Sequence, residues 1–199
     1  MRTARAVIAI AALLALWPCA DGRAEHVDVG PAPPADAERP PEPDGYRMDE
    51  YRKPVPATLK GATVLTSEKA GELWTNKQAI FVDVYPRAPK PPNLPKGTFW
   101  REPIHHSIEN ATWLANVGYG VISAEIEGYF KKNLEKLTGG DKSRAVVFYC
   151  LRDCWMSWNA AKRALTYGYS NVMWYPDGTD GWQEVGLPVA QITPVPQEQ

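Results

Sequence analysis

Val146-Val147-Phe148-Tyr149-Cys150-Leu151-Arg152-Asp153-Cys154-Trp155 is the stretch whose reading decides the fold. The apolar run 145–149 has the length and composition of a buried strand, and Gly139-Gly140-Asp141 upstream marks a turn. Residues 157–167 read as a helix, with Gly168 at its stop. Cys150 therefore stands at the C-terminal end of a strand, just before a helix begins. That is where open α/β sheets bind their ligands and where thiols become reactive. Cys154 follows four positions later, with Trp155 directly after it.

Outward from this stretch, strand and helix patterns alternate. Ala62–Leu65 is a short strand, and Ser67 opens a helix to about Thr75. Ala79-Ile80-Phe81-Val82 is a buried strand ending at Asp83, and Thr112-Trp113-Leu114 is a brief one. Ser123 opens a helix whose apolar face is Ile126, Phe130, Leu134 and Leu137, and Gly139-Gly140 stop it. Asn171–Tyr175 is a further strand, and Trp182 begins a last short helix. The alternation predicts a parallel or mostly parallel sheet with helices on its faces. Residues 85–103 are proline-rich and loop-like; a connection of that length is functional or a family-specific insertion.

The ends of the chain read differently from its middle. Residues 1–24 have the layout of a secretory signal: Arg2 and Arg5, an apolar run from Ala6 to Trp17, and small residues at Gly22 and Ala24. The run is short for a membrane span, so a mature protein without one is expected, exported to an oxidising, periplasmic compartment. Residues 25–60 form a Pro-rich leader and N-terminal extension, with 25–45 extended or disordered and 46–60 lying along the domain surface. The domain proper spans 61–190, and 191–199 is a tail. A formal net charge of −1 gives no electrostatic case for nucleic acid or an anionic membrane.

Of the three cysteines, Cys19 falls in the signal, so Cys150 and Cys154 remain: one local pair or one reactive site, and no disulfide scaffold. Four residues apart in a helical turn places their Cα atoms at roughly 6 Å, inside bridging range. The pair reads as redox-active or as a static disulfide formed on export. A phosphatase of this layout requires Cys-x5-Arg, and Met156 stands at the arginine position. Covalent haem requires His after the second cysteine, where Trp155 stands. His26, His105 and His106 with the two cysteines make a poor zinc set, although a soft-metal site from the cysteines and His105 or His106 stays open. Gly140-Asp141-Lys142-Ser143 lacks the upstream glycine of a phosphate loop. Trp155 and Trp158 flank the cysteine loop, as an aromatic wall for a flat ligand such as a quinone cofactor or as core; Trp174 and Trp182 are expected in the core.

With these residues placed, the chain resembles a rhodanese-like domain over roughly 61–190. Asp83 in Val82-Asp83-Val84, Tyr149-Cys150, Gly168-Tyr169-Ser170-Asn171-Val172 and the closing run from Gly178 through Trp182 to Gly186-Leu187-Pro188-Val189 carry the resemblance in order. It implies an α/β fold: a three-layer sandwich with a mostly parallel central sheet and helices on both faces. It also implies sulfur transfer through a persulfide on Cys150. The substrate-binding loop would be Leu151, Arg152, Asp153, Trp155, Met156 and Ser157, with Asp83 and Trp158 in support. Cys154 would act as a second, resolving thiol.

The segment Cys150–Trp155, together with Glu42–Arg47 and Thr112–Gly118, is also similar to exported proteins of PQQ-dependent catabolism that are named for a Cys-x-x-Cys-Trp motif. This implies a periplasmic partner of quinoprotein alcohol or methanol oxidation, with PQQ entering only by association and no resident cofactor or metal. Departures are specific. Tyr85 replaces the arginine of Asp-Val-Arg, residues 107–111 shorten a common stretch, and the loop lacks its usual glycine and carries one extra residue before Ser157. They leave open a non-catalytic module that binds a quinoprotein, a cytochrome, a cofactor or a soft metal through the same loop.

Overall fold

The computed structural model describes residues 38–87, 91 and 93–197. Residues 1–37, which include the segment expected as a signal, Cys19, His26 and the start of the expected leader, lie outside the described residues. Eleven elements follow in chain order: β1 (Thr63–Val64), α1 (Ser67–Thr75), β2 (Ile80–Asp83), β3 (His105–Ile108), β4 (Thr112–Trp113), α2 (Ala124–Thr138), β5 (Val146–Tyr149), α3 (Trp155–Thr166), β6 (Val172–Tyr175), α4 (Gly178–Glu184) and β7 (Val189–Ile192).

Five strands form one wholly parallel sheet in the order β1-β6-β5-β2-β4. The uninterrupted apolar run of β5 follows from its central place. Val146 and Phe148 pack on the face covered by α2 and α3, while Val147 and Tyr149 pack on the face covered by α1 and α4. A strand buried on both faces has no polar side to alternate with. Phe130 of α2 meets Phe148 edge-on at 5.9 Å, and Trp182 of α4 meets Phe81 at 5.9 Å on the opposite face. The expected α/β architecture, a mostly parallel sheet with helices on both faces, is the one observed.

Several boundaries differ from the sequence expectation. Thr66, not Ser67, caps α1, its side chain accepting the Lys69 N–H. Helix α3 begins at Trp155 because Cys154 takes the capping position. Helix α4 begins four residues before Trp182, which instead lies in its second half, fully buried. Strands β3 and β7 had no expected counterpart. They pair antiparallel as a separate ribbon, with Ser107 opposite Ala190. Beyond β7 the chain runs along the β4 edge, where Val195 N–H donates to Trp113 O at 3.0 Å and Tyr129 Oη donates to Val195 O at 3.0 Å. The last strand edge is thereby covered. Among the described residues no helix is long and apolar enough to cross a membrane.

Residues 38–60 form an arm laid along α3 and the cysteine loop. Val55 and Leu59 enter the core. Asn159 clamps the arm at Arg47, its amide donating to Arg47 O at 2.8 Å and accepting from Arg47 N–H at 2.9 Å. Lys162 donates to Pro43 O and Asp44 O at 2.8 and 2.7 Å. The stretch 38–45, which composition alone sets apart as extended or disordered, is extended and held by these contacts.

Candidate active site

The chain between β5 and α3 is seated by backbone bonds from both flanks. Thr179 N–H donates to Cys150 O at 3.0 Å, Asp153 N–H to Pro176 O at 3.1 Å, and Arg152 N–H to Asp180 Oδ2 at 2.9 Å. Asp153 occupies the position of the missing loop glycine and keeps a glycine-like backbone, with φ of +50°. Aspartate tolerates the left-handed region better than most side chains. Its buried carboxylate accepts a hydrogen bond from Arg39 of the arm at 3.0 Å. The lost glycine is thus replaced by an Asp–Arg pair that spans loop and arm.

Both cysteines are reduced and about 1% exposed. They face one another with opposite electrostatics. Burial pushes the Cys150 thiol well above its ordinary value; its hydrogen bond to Cys154, the charge that forms there, and Asp83 add to the rise. Burial also opposes ionisation of Cys154, but there it is outweighed. The hydrogen bond from Cys150, the Met156 N–H in the first turn of α3, the Arg52 guanidinium and the Leu151 N–H together lower the Cys154 thiol. Among the described residues no side chain closes a capping bond on α3; of its first-turn N–H groups, Trp155 donates to Tyr51 O at 2.9 Å, Ser157 donates to Cys154 O at 3.2 Å, and Met156 serves the Cys154 sulfur. Cys150 at the end of β5 is the nucleophile expected from the sequence; the capping position of α3, held by Cys154, favours charge on the second sulfur of the pair.

The other expected loop residues separate into groups. Leu151, Asp153, Trp155, Met156 and Ser157 are buried around the pair. Ser157 Oγ donates to Cys154 O at 2.8 Å and accepts from Trp174 Nε1 at 3.0 Å, which ties the capping turn to β6. Arg152 does not serve the thiols: its guanidinium forms a fork with Glu184 and lies 3.5 Å from Asp177. Trp155 Nε1 donates to Pro54 O at 3.1 Å and Trp158 Nε1 to Thr58 O at 3.2 Å. The aromatic face expected as a ligand wall is therefore occupied by the arm, while Trp174 and Trp182 are core.

Asp83, expected as a supporting residue, organises the strand ends. Its Oδ1 accepts the Tyr85 N–H at 2.8 Å; its Oδ2 accepts from Ser107 Oγ and lies 2.7 Å from His105 Nε2. Ser107 Oγ is also 2.8 Å from Tyr149 Oη. His105 is stacked on Tyr85 at 4.7 Å and tilted on Trp113 at 4.4 Å, which commits its ring to this network. Among the described residues no group of three or more His, Cys, Asp or Glu is placed to hold a metal. A groove of about 760 Å³ between Glu42–Asp44 and Lys162 lies away from the thiols.

Three contributors escaped the sequence reading. Arg52 and Tyr119 act electrostatically on the cysteine region, and Tyr85, noted only as a departure, acts there with them. Arg163 holds the turn carrying Tyr119, donating to Val117 O, Tyr119 O and Gly120 O at 2.8, 3.0 and 3.0 Å. Isolated arginines and tyrosines in Tyr51-Arg52-Lys53 and Gly118-Tyr119-Gly120 give no motif to find them by.

A parallel sheet that presents a buried thiol pair at a strand end, against a helix N-terminus, defines a class of sheet-end cysteine domains. The chain contains a rhodanese-like domain: residues 98–185 match the family model of that description. No curated protein matches it. Solved structures of similar fold include the rhodanese-like domain of a protein from Anabaena sp., 16% identical over 71% of this chain and 89% of that one, with a TM-score of 0.44. The polysulfide-sulfur transferase homodimer from Wolinella succinogenes is 20% identical over 65% and 79%, with a TM-score of 0.39. An uncharacterized protein from Saccharomyces cerevisiae is 19% identical over 63% and 93%, with a TM-score of 0.38.

Proposed function

We propose that this chain is an exported sulfur-handling thiol protein in which Cys154 and Cys150 work as a pair. The observation that carries the reading is the placement of two buried, unbridged cysteines in one loop, Cys150 at the end of β5 and Cys154 at the capping position of α3, where burial raises the first thiol and the helix turn and Arg52 lower the second. A single thiolate at rest is what attack on sulfane sulfur requires. Cys154 thiolate attacks the outer sulfur of an anionic donor such as thiosulfate, the S–S bond of the donor breaks, and sulfite leaves with the electron pair. The product is a Cys154 persulfide. Cys150 then attacks the Cys154 sulfur: a Cys150–Cys154 disulfide forms, the persulfide bond breaks, and the outer sulfur departs as hydrosulfide carrying the Cys150 proton. The sulfane sulfur is reduced by two electrons, and the two cysteine sulfurs supply one each. An external dithiol resets the pair. Alternatively, an external thiol takes the outer sulfur and leaves both cysteines reduced.

Because both sulfurs are about 1% exposed, a donor reaches them only when the arm over the loop shifts. The same burial favours a second reading, a non-catalytic module whose loop is a docking surface. Sulfide release from a sulfane donor plus dithiol, compared between wild type and Cys154→Ser, separates the two. Release that depends on Cys154 supports transfer; equal background from both proteins rejects it.

We place this chemistry in the periplasm beside PQQ-dependent alcohol or methanol oxidation, with a quinoprotein dehydrogenase or its cytochrome as partner. The layout of residues 1–24 and the Cys150–Trp155 segment support that setting. Affinity capture from a periplasmic extract should recover a quinoprotein or cytochrome; recovery of neither contradicts the partnership.

A further inference from the structure

The arm delivers a cation to the cysteines that the fold leaves unanswered. Among the described residues, Arg52 Nε and Nη1 are buried without a hydrogen-bond partner. Unpaired guanidinium N–H groups are expensive to bury, so their persistence needs a reason. The backbone on both sides is pinned to the cysteine turn. Tyr51 O accepts the Trp155 N–H at 2.9 Å, and Pro54 O accepts Trp155 Nε1 at 3.1 Å. Tyr51 Oη donates to Met48 O at 2.8 Å and accepts Gly120 N–H at 3.0 Å, and its ring meets Tyr119 edge-on at 5.5 Å. Arg52 is thereby held beside the cysteine turn, close enough to act on Cys154 and on Tyr85.

We propose that Arg52 is the cationic half of the sulfur site: its open N–H groups hold the anion that forms on the cysteine pair and the anionic sulfane donor that reacts with it. The donor part rests on the sulfur-transfer reading; the thiolate part stands without it. The chemistry fits arginine in particular. A planar fork of donors grips the oxygens of a sulfonate-type anion, or a terminal sulfur and one oxygen, in two parallel bonds, where a lysine offers a point charge.

The charged and titratable groups facing the pair set the sign. Arg52 from the arm favours the anion. Asp83 at the end of β2 opposes it, and acts on Cys150. Tyr85 and Tyr119 have raised values and stay neutral as donors. Asp153 in the loop is paired with Arg39. The negative charge is steered away from Cys150 and toward Cys154.

The test uses the reduced full-length chain and the variants Arg52→Gln, Arg52→Lys and Cys154→Ser. Ultraviolet thiolate absorbance is followed against pH, with Cys154→Ser assigning the signal, and sulfite affinity is measured by calorimetry. In Arg52→Gln the titration midpoint rises by about one unit, a tenfold change in the ratio of thiolate to thiol. Arg52→Lys keeps most of the thiolate but binds sulfite about tenfold more weakly, through loss of the fork. An unmoved midpoint in Arg52→Gln, or unchanged sulfite affinity in Arg52→Lys, overturns the proposal. If Arg52→Gln does not fold, the lysine variant decides by itself. Failure of the wild type to take up sulfane sulfur, with the midpoint shift present, rejects the transfer reading and leaves Arg52 as the partner of the thiolate.

Discussion

Replacing Gly178 with alanine strains the cysteine loop in two separable ways. Gly178 opens α4 directly behind the loop with φ of +52°, a conformation that disfavours any Cβ by about 1–2 kcal/mol. The added Cβ would also fall against Cys150 O and 2.7 Å from the carbonyl carbon of Leu151. These are backbone atoms and cannot swing aside as a side chain does. The loop must shift, with loss of the Thr179 N–H bond to Cys150 O and an overpacking cost of about 1–3 kcal/mol. Gly178→Ala should therefore lose about 2–5 kcal/mol. Gly186→Ala is the matched control. Its φ is +73°, but nothing lies within 4 Å of the added Cβ, so it reports the backbone cost alone, about 1–2 kcal/mol. Urea unfolding of both variants beside wild type gives the difference. Thermal midpoints should fall by roughly 2–4 °C per kcal/mol for a domain of this size. Equal losses in the two variants would mean that the Cys150 carbonyl is not seated on Gly178, and the loop geometry argued above would fail with it.

The remaining expectations address charge and site support. Arg163→Met strands three carbonyls in the 117–120 turn and should cost about 3–5 kcal/mol, read by urea unfolding; a loss below about 1 kcal/mol would contradict the buried clamp. Burial raises Tyr129 and Tyr175 from the usual 10 up to about 12. Their neutral forms are favoured in the fold, so stability is complete below pH 10 and is lost as pH rises toward 12; a urea midpoint flat across that window would refute this. Arg152→Gln should leave the thiolate titration unmoved, since its guanidinium is turned to Glu184 and Asp177; a shift like that of Arg52→Gln would reassign the cation at the site.

The central β5–Cys150–α3 unit was legible because a strand buried on both faces must be a continuous apolar run, and a helix with a period of 3.6 residues, as in Phe130 and Leu134, displays its own face. Strands β3 and β7 were not. His105-His106 looks like a solvated loop, and only the partner strand, more than eighty residues away, turns His105 and Ser107 inward to Asp83. The arm was legible in part: residues 46–60 were expected along the domain surface and lie there, but their anchors were not foreseen. Proline-rich composition signals an extended chain but says nothing about whether Asn159, Trp155 and Trp158 wait to bind its carbonyls. At the site, the two cysteines and the loop were found from spacing. The capping role of Cys154 was not, because a cysteine is an unusual cap and α3 begins at Trp155, two residues before the expected start. The missing glycine proved a change of side chain and not of backbone: Asp153 keeps the left-handed turn, and Arg39, far away in sequence, neutralises it.

The account stands or falls on whether the two cysteines handle one sulfur between them. The intact mass of the reduced full-length protein after exposure to thiosulfate or polysulfide, followed by removal of excess donor, tests this directly for wild type, Cys150→Ser and Cys154→Ser. Wild type should end two hydrogens lighter, as the Cys150–Cys154 disulfide. Cys150→Ser should trap one added sulfur on Cys154, and Cys154→Ser should gain none. Unchanged masses throughout, with Cys150 and Cys154 both still free in the wild type, would contradict the account.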